Sequence, residues 1–137
     1  MATIKELLRT EENGSISFGN YDLDTKTKLS DFKFQDDTYK VKTFKEITRL
    51  EKNGGVVYES VPGSAVHDYK ETDRQLTFIV ESPDDIQITL ELEPEKEYKV
   101  YVNDTNIGKM RSNLGGKISF SIELNLGESA AVRIVKL

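Results

Sequence analysis

Ile86-Gln87-Ile88-Thr89-Leu90-Glu91-Leu92 and Ile118-Ser119-Phe120-Ser121-Ile122-Glu123-Leu124 decide the fold class of this chain. In both stretches apolar and polar residues alternate strictly. A period of two sets one row of side chains on a core and the other in water, as in a half-buried strand. Outward from these two stretches the pattern repeats over 76–81, 98–103, 107–111 and 131–136. The separators carry Pro83-Asp84-Asp85, Asp104-Thr105-Asn106, Asn113 to Gly116 and Asn125 to Ser129, residues that turn a chain. Strands at such spacing predict a mostly antiparallel β-sandwich, Ig-like or jelly-roll-like. The core expected from this half is Leu76, Phe78, Val80, Ile86, Ile88, Leu90, Leu92, Tyr98, Val100, Val102, Ile118, Phe120, Ile122, Val132 and Ile134. Tyr101, opposite in parity to Val100 and Val102, is expected to face out.

The first half is less regular. Ile16 and Phe18, Phe32 and Phe34, and Tyr39, Val41 and Thr43 read as strands. The segment 44–51 has both helical spacing and strand propensity. It is read as a strand because Asn53-Gly54 follows, a pair that supplies the positive φ values of a tight hairpin. Residues 56–61 make the return strand. Pro62-Gly63 breaks the ladder, and 64–74 is expected to be irregular. At the start, Thr3 and Glu6 fit a capping box, and Ile4, Leu7 and Leu8 share a helical face, so a short helix or arm is expected over 4–11. The division expected is an N-terminal helix or arm, 1–14, and a β-sandwich domain, 15–137, whose halves 15–75 and 76–137 share a core or form two small ones.

A chain of 137 residues can bury a core of its own. It contains no cysteine, which removes disulfides, thiolate metal sites and cysteine catalysis. Residues 1–10 lack an apolar run of signal-peptide length, and no stretch is apolar enough to span a membrane; the expectation is a cytoplasmic protein with no membrane partner. A net charge of -5 opposes nucleic acid, and the best basic run, Lys40, Lys42, Lys45 and Arg49, is flanked by acids.

Few residues can carry chemistry. Asp22-Leu23-Asp24-Thr25 is not a calcium loop, since Lys26 and Lys28 fall where oxygen ligands belong. Asp84-Asp85 share a turn tip and cannot flank a substrate as a glycosidase pair does. Gly115-Gly116-Lys117 lacks the remaining constraints of a phosphate loop. The single histidine, His67, adjoins Asp68, but no serine nearby sits in a nucleophile elbow. One histidine without cysteine cannot build the usual zinc site. No catalytic, metal or cofactor site is expected, and hence no enzyme. A ligand surface is expected instead around the irregular loop, from Tyr58, His67, Tyr69 and Arg74.

The stretches 39–51 and 58–66, Tyr98-Lys99-Val100-Tyr101-Val102, and Gly108-Lys109-Met110 with Gly115-Gly116-Lys117 resemble a family of small clostridial proteins. Some of its members carry the label "endosialidase catalytic β chain". That label implies action on polysialic chains, which asks for clustered arginines; here arginines stand at 9, 49, 74, 111 and 133, on separate elements. The C-terminal part also resembles Ig-like accessory domains of bacterial polysaccharide enzymes, which implies binding, spacing or assembly. The expected function is therefore a non-enzymatic structural or self-assembling protein, a homo-oligomer; the alternative is a small carbohydrate- or peptide-binding module.

Overall fold

The structure, a computed structural model, describes residues 3–137. Its strands follow in the order β1 (Leu8–Thr10), β2 (Ile16–Phe18), β3 (Thr27–Phe34), β4 (Asp37–Phe44), β5 (Ile47–Lys52), β6 (Gly55–Val61), β7 (Ala65–Glu71), β8 (Gln75–Glu81), β9 (Ile86–Glu91), β10 (Glu97–Val102), β11 (Thr105–Arg111), β12 (Lys117–Ile122) and β13 (Ser129–Lys136). They form two antiparallel sheets packed face to face, a β-sandwich. One sheet has the order β1-β2-β7-β8-β13-β10-β11, the other β12-β9-β6-β5-β4-β3.

Strands of both halves of the chain meet in each sheet, and one buried cluster runs from Leu8 to Ile134. The expected core of the second half lies in that cluster, with Leu92 and Val102 partly buried against it. At its centre Phe18, Tyr58, Tyr69 and Phe78 pack with ring centroids 5.2 to 6.5 Å apart, mostly edge to face. Tyr58 comes from one sheet and the other three from the opposite one, so these rings tie the layers together.

Local chemistry makes the hairpins. Gln35-Asp36, Asn53-Gly54 and Asn103-Asp104 are two-residue turns with both residues at positive φ, the twist that matches paired strands. The segment 44–51 is strand on both sides of a tight turn at Lys45-Glu46.

Two expectations are corrected. The N-terminal helix is absent: a turn at residues 5–6 leads into β1. Ile4 N–H donates to the Gly19 carbonyl (3.0 Å), and Gly19 N–H donates to the Leu7 carbonyl (3.1 Å). Eight residues are too few to sustain a helix alone, whereas pairing along β2 satisfies the backbone and fully buries Ile4. The segment therefore lies on its own sheet and does not protrude as an arm. The irregular stretch is in large part β7. A bulge at Asp68 (φ 56) shifts its register, so Val66 and Tyr69 both face inward although three residues apart.

A hydroxyl network anchors the crossing from β6 to β7. Thr48 Oγ1 donates to the Ser64 carbonyl (3.1 Å) and accepts from Ser64 N–H (3.0 Å). Ser64 Oγ lies 2.6 Å from Ser60 Oγ and 2.9 Å from the Tyr58 hydroxyl. Thr43 and Thr48 hydroxyls are 2.8 Å apart. Every partner is buried, so each bond removes an otherwise costly unsatisfied group.

Candidate functional site

The four residues expected to form a ligand surface are dispersed. Tyr58 and Tyr69 lie inside the core. Burial, opposed by the Ser64 and Ser60 hydroxyls, pushes the Tyr58 phenol up to about 12. Burial, and then the nearby Glu71, push Tyr69 well above the ordinary tyrosine range. Alternation alone could not place Tyr69, because the bulge at Asp68 breaks it.

His67 points to the outer face of its sheet, yet is only 8 % exposed. Its Nε2 has no hydrogen-bond partner, nor has Oε1 of Glu81, which stands on β8 diagonally across from it. Asp68 does not serve His67. Its carboxylate accepts from Ser15 (3.3 Å) and Asn13 (3.5 Å), and its N–H donates to Ser17 Oγ (3.2 Å). Ser17 in turn donates to Glu11 at 2.5 Å. That bond, and behind it Arg9, hold the Glu11 carboxyl below its ordinary range against the opposing effect of burial. Among the described residues no group of three or more His, Asp or Glu is placed to hold a metal.

Arg74 sits in the β7–β8 turn. It lines a cleft of about 330 Å³ at one open end of the sandwich, with Lys52, Glu71, Glu93 and Lys136. The cleft's charges largely answer one another: Lys52 lies 3.4 Å from Glu71 and 3.6 Å from Asp37, and Lys136 pairs with Glu93.

Three surface features lie away from these four residues. On the outer face of the first sheet, a trough of about 300 Å³ is lined by Asp68, Ile79, Tyr101, Asp104 and Arg133 among others. Tyr101 does face out, and the Arg133 guanidinium stacks over it at 4.0 Å. The pairing of Tyr101 with Arg133 depends on β10 lying beside β13. On the other sheet, Lys28, Lys42 and Arg49 stand in one rung across β3, β4 and β5. Desolvation, then Lys26, Lys28, Arg49 and Lys40, hold the Lys42 ammonium below the ordinary lysine range. Glu59 answers Arg49 at 3.5 Å and Glu51 answers Lys40 at 3.9 Å, which tempers the patch.

The third feature is an open sheet edge. A sandwich has four edges, each a row of unpaired amide groups unless protected. Here β1 is three residues long. Strand β3 is broken by a bulge between Leu29 and Phe32, with Asp31 at positive φ. Strand β11 is bulged at Ile107 and carries Gly108 at φ 141. Strand β12 is the one edge strand longer than three residues that pairs without interruption, Lys117 opposite Glu91 through Ile122 opposite Ile86, and it contains no proline or glycine. Leu114 and Leu126 stand just before and just after it, 82 % and 75 % exposed. Contact between β1 and β3 at the far side sets β11 and β12 at the same side of the sandwich. Ile107 of β11, 43 % exposed, is there as well.

No protein-family model, curated protein or solved structure matches the chain. Among the described residues no helix is long and apolar enough to cross a membrane.

Proposed function

We propose that the protein is a non-enzymatic structural protein that assembles with further copies of itself through the side of the sandwich where β11 and β12 end their sheets. The observation that carries this reading is the concentration of apolar surface beside an unprotected strand. Of the five large apolar side chains exposed among the described residues, Ile107, Leu114 and Leu126 flank these two edges. Water gains little from solvating such leucines, and an open ladder offers each of them a place to be covered.

Light scattering of the untagged protein over a concentration series tests the reading. A discrete oligomer or a growing filament is expected. A monomer at every concentration would sink it.

The trough beside Tyr101 and Arg133 favours the second reading, a small carbohydrate- or peptide-binding module. A flat ring held by a cation, with Asp68 and Asp104 nearby, suits the stacking and hydrogen bonding of a sugar or an extended peptide. Binding of an oligosaccharide or peptide library that is lost in Tyr101→Ala would favour this reading over self-assembly.

A further inference from the structure

The edge of β12 carries more than an open ladder, because its sequence is its own complement. Centred on Phe120, the chain reads Lys117-Ile118-Ser119-Phe120-Ser121-Ile122-Glu123. Reversed, the Ile-Ser-Phe-Ser-Ile core is unchanged, and the two ends carry opposite charge. We infer that two copies of the chain pair antiparallel through β12 about a two-fold axis at Phe120, extending the six-stranded sheet across the interface. This rests on the self-assembly reading above and names its partner and register.

The backbone has the parity this pairing needs. Leu92 N–H donates to the Gly116 carbonyl at 2.6 Å. With the register Lys117 opposite Glu91, residues 116, 118, 120 and 122 turn their amide groups toward β9. Ser119 and Ser121 therefore turn theirs to the open edge, whereas those of Lys117 are engaged by Asn113, whose Oδ1 accepts from Lys117 N–H (2.9 Å) and whose N–H donates to the Lys117 carbonyl (3.1 Å). In an antiparallel pair, amide groups are exchanged only between directly opposite residues that both point at the partner. An axis at Phe120 sets Ser119 opposite Ser121, both pointing outward. A register shifted by one residue would set outward groups against inward ones.

The side chains agree with the backbone. On the solvent face, Lys117 of each copy meets Glu123 of the other, and Ser119 meets Ser121. All four are exposed in the single chain. On the inner face Ile118 meets Ile122 and Phe120 meets Phe120. These three are buried at the rim of the core, 4 to 6 % exposed, and the partner strand would close that rim. The exposed leucines obey the same symmetry, since residues 114 and 126 are equidistant from 120. Each end of the interface thus receives a Leu114 from one copy and a Leu126 from the other. A foreign strand has no reason to match all of these positions, whereas a second copy matches them by construction.

The chain has no cysteine, so introduced thiols report register without background. An equimolar mixture of Ser119→Cys and Ser121→Cys proteins should form a disulfide-linked dimer under mild oxidation at least about tenfold faster than either protein alone. Opposite residues lie within disulfide reach, whereas like residues two positions out of register do not. As a second measurement, Lys117→Glu and Glu123→Lys should each weaken the dimer about tenfold, and the double reversal should restore it. Equal cross-linking by Ser119→Cys alone, or an oligomer indifferent to both charge reversals, would overturn the register while leaving self-assembly standing. A monomer at all concentrations would overturn both.

Discussion

Replacing Tyr58 by Phe tests whether the hydroxyl is as buried as its partners indicate. The substitution removes one oxygen and leaves the ring packed against Phe18, Tyr69 and Phe78. Ser64 Oγ keeps its bond to Ser60, so no new orphan arises. The loss at neutral pH should be about 1.5 kcal/mol, one buried hydrogen bond. At alkaline pH the effect reverses. An unfolded tyrosine loses its proton near 10, whereas Tyr58 in the folded chain holds it to about 12. Between these values the unfolded state binds fewer protons than the folded one, so stability falls as pH rises, by about 1.4 kcal/mol per pH unit and about 2.7 kcal/mol in all. Tyr58→Phe is exempt from that loss. The other tyrosines enter both proteins and largely cancel in the difference. The two stability curves should therefore cross near about pH 11, the variant being the weaker below and the stronger above. Urea unfolding followed by far-UV circular dichroism at a series of pH values reads this directly. A difference that stays constant from pH 8 to pH 11.5 would show the phenol to be solvated and refute the argument.

Gly63→Ala should cost roughly 2–4 kcal/mol, because a Cβ there would run into the Phe44 carbonyl. Gly54→Ala should cost only about 1 kcal/mol, since its Cβ meets nothing and only the positive φ is strained. Equal losses in thermal melts would contradict the packing of the β6–β7 crossing. Deleting the residues after Ala131 removes most of β13, which lies between β8 and β10 and supplies Val132 and Ile134 to the core; the product should be insoluble. A soluble truncation that melts cooperatively would refute that. Ser17→Ala should remove the bond that lowers Glu11. A carboxyl held below its unfolded value of 4.5 adds stability above that pH, and this is lost as pH falls through the folded value. The gap between wild type and Ser17→Ala should therefore narrow in acid; a gap unchanged from pH 7 to pH 3 would disprove the role assigned to Ser17.

Much of the sandwich was legible in the chain because it is written at period two. Ile86, Ile88 and Leu90 declare their buried face without reference to any partner, and Asn53-Gly54 declares its turn through backbone sterics alone. Boundaries were less legible. The turn at Asn103-Asp104 begins one residue earlier than the separator Asp104-Thr105-Asn106 suggests, since Asn and Asp tolerate left-handed backbone without demanding it. The N-terminal segment misled for a related reason. Ile4, Leu7 and Leu8 fit a helical stripe, but the open edge of β2 offered a better place for the same residues.

The candidate sites were the least legible. Tyr58, on its strand, and Tyr69, in the stretch expected to be irregular, were read as ligand-facing, but β6 turns Tyr58 inward together with Ser60 and a bulge at Asp68 carries Tyr69 into the core. Tyr101 was recognisable as outward-facing, but its Arg133 partner is 32 positions away and is brought to it by strand pairing. The mirrored run around Phe120 is present in the sequence for anyone to read. What gives it meaning is that β12 ends its sheet, and that is a property of strand order. The sequence by itself determined the class, the strands and the faces of most of them, because alternation and turn chemistry act over a few residues. The order of those strands, and with it which ladder stays open to a second copy, was decided only in three dimensions, where pairing joins residues that no local pattern connects.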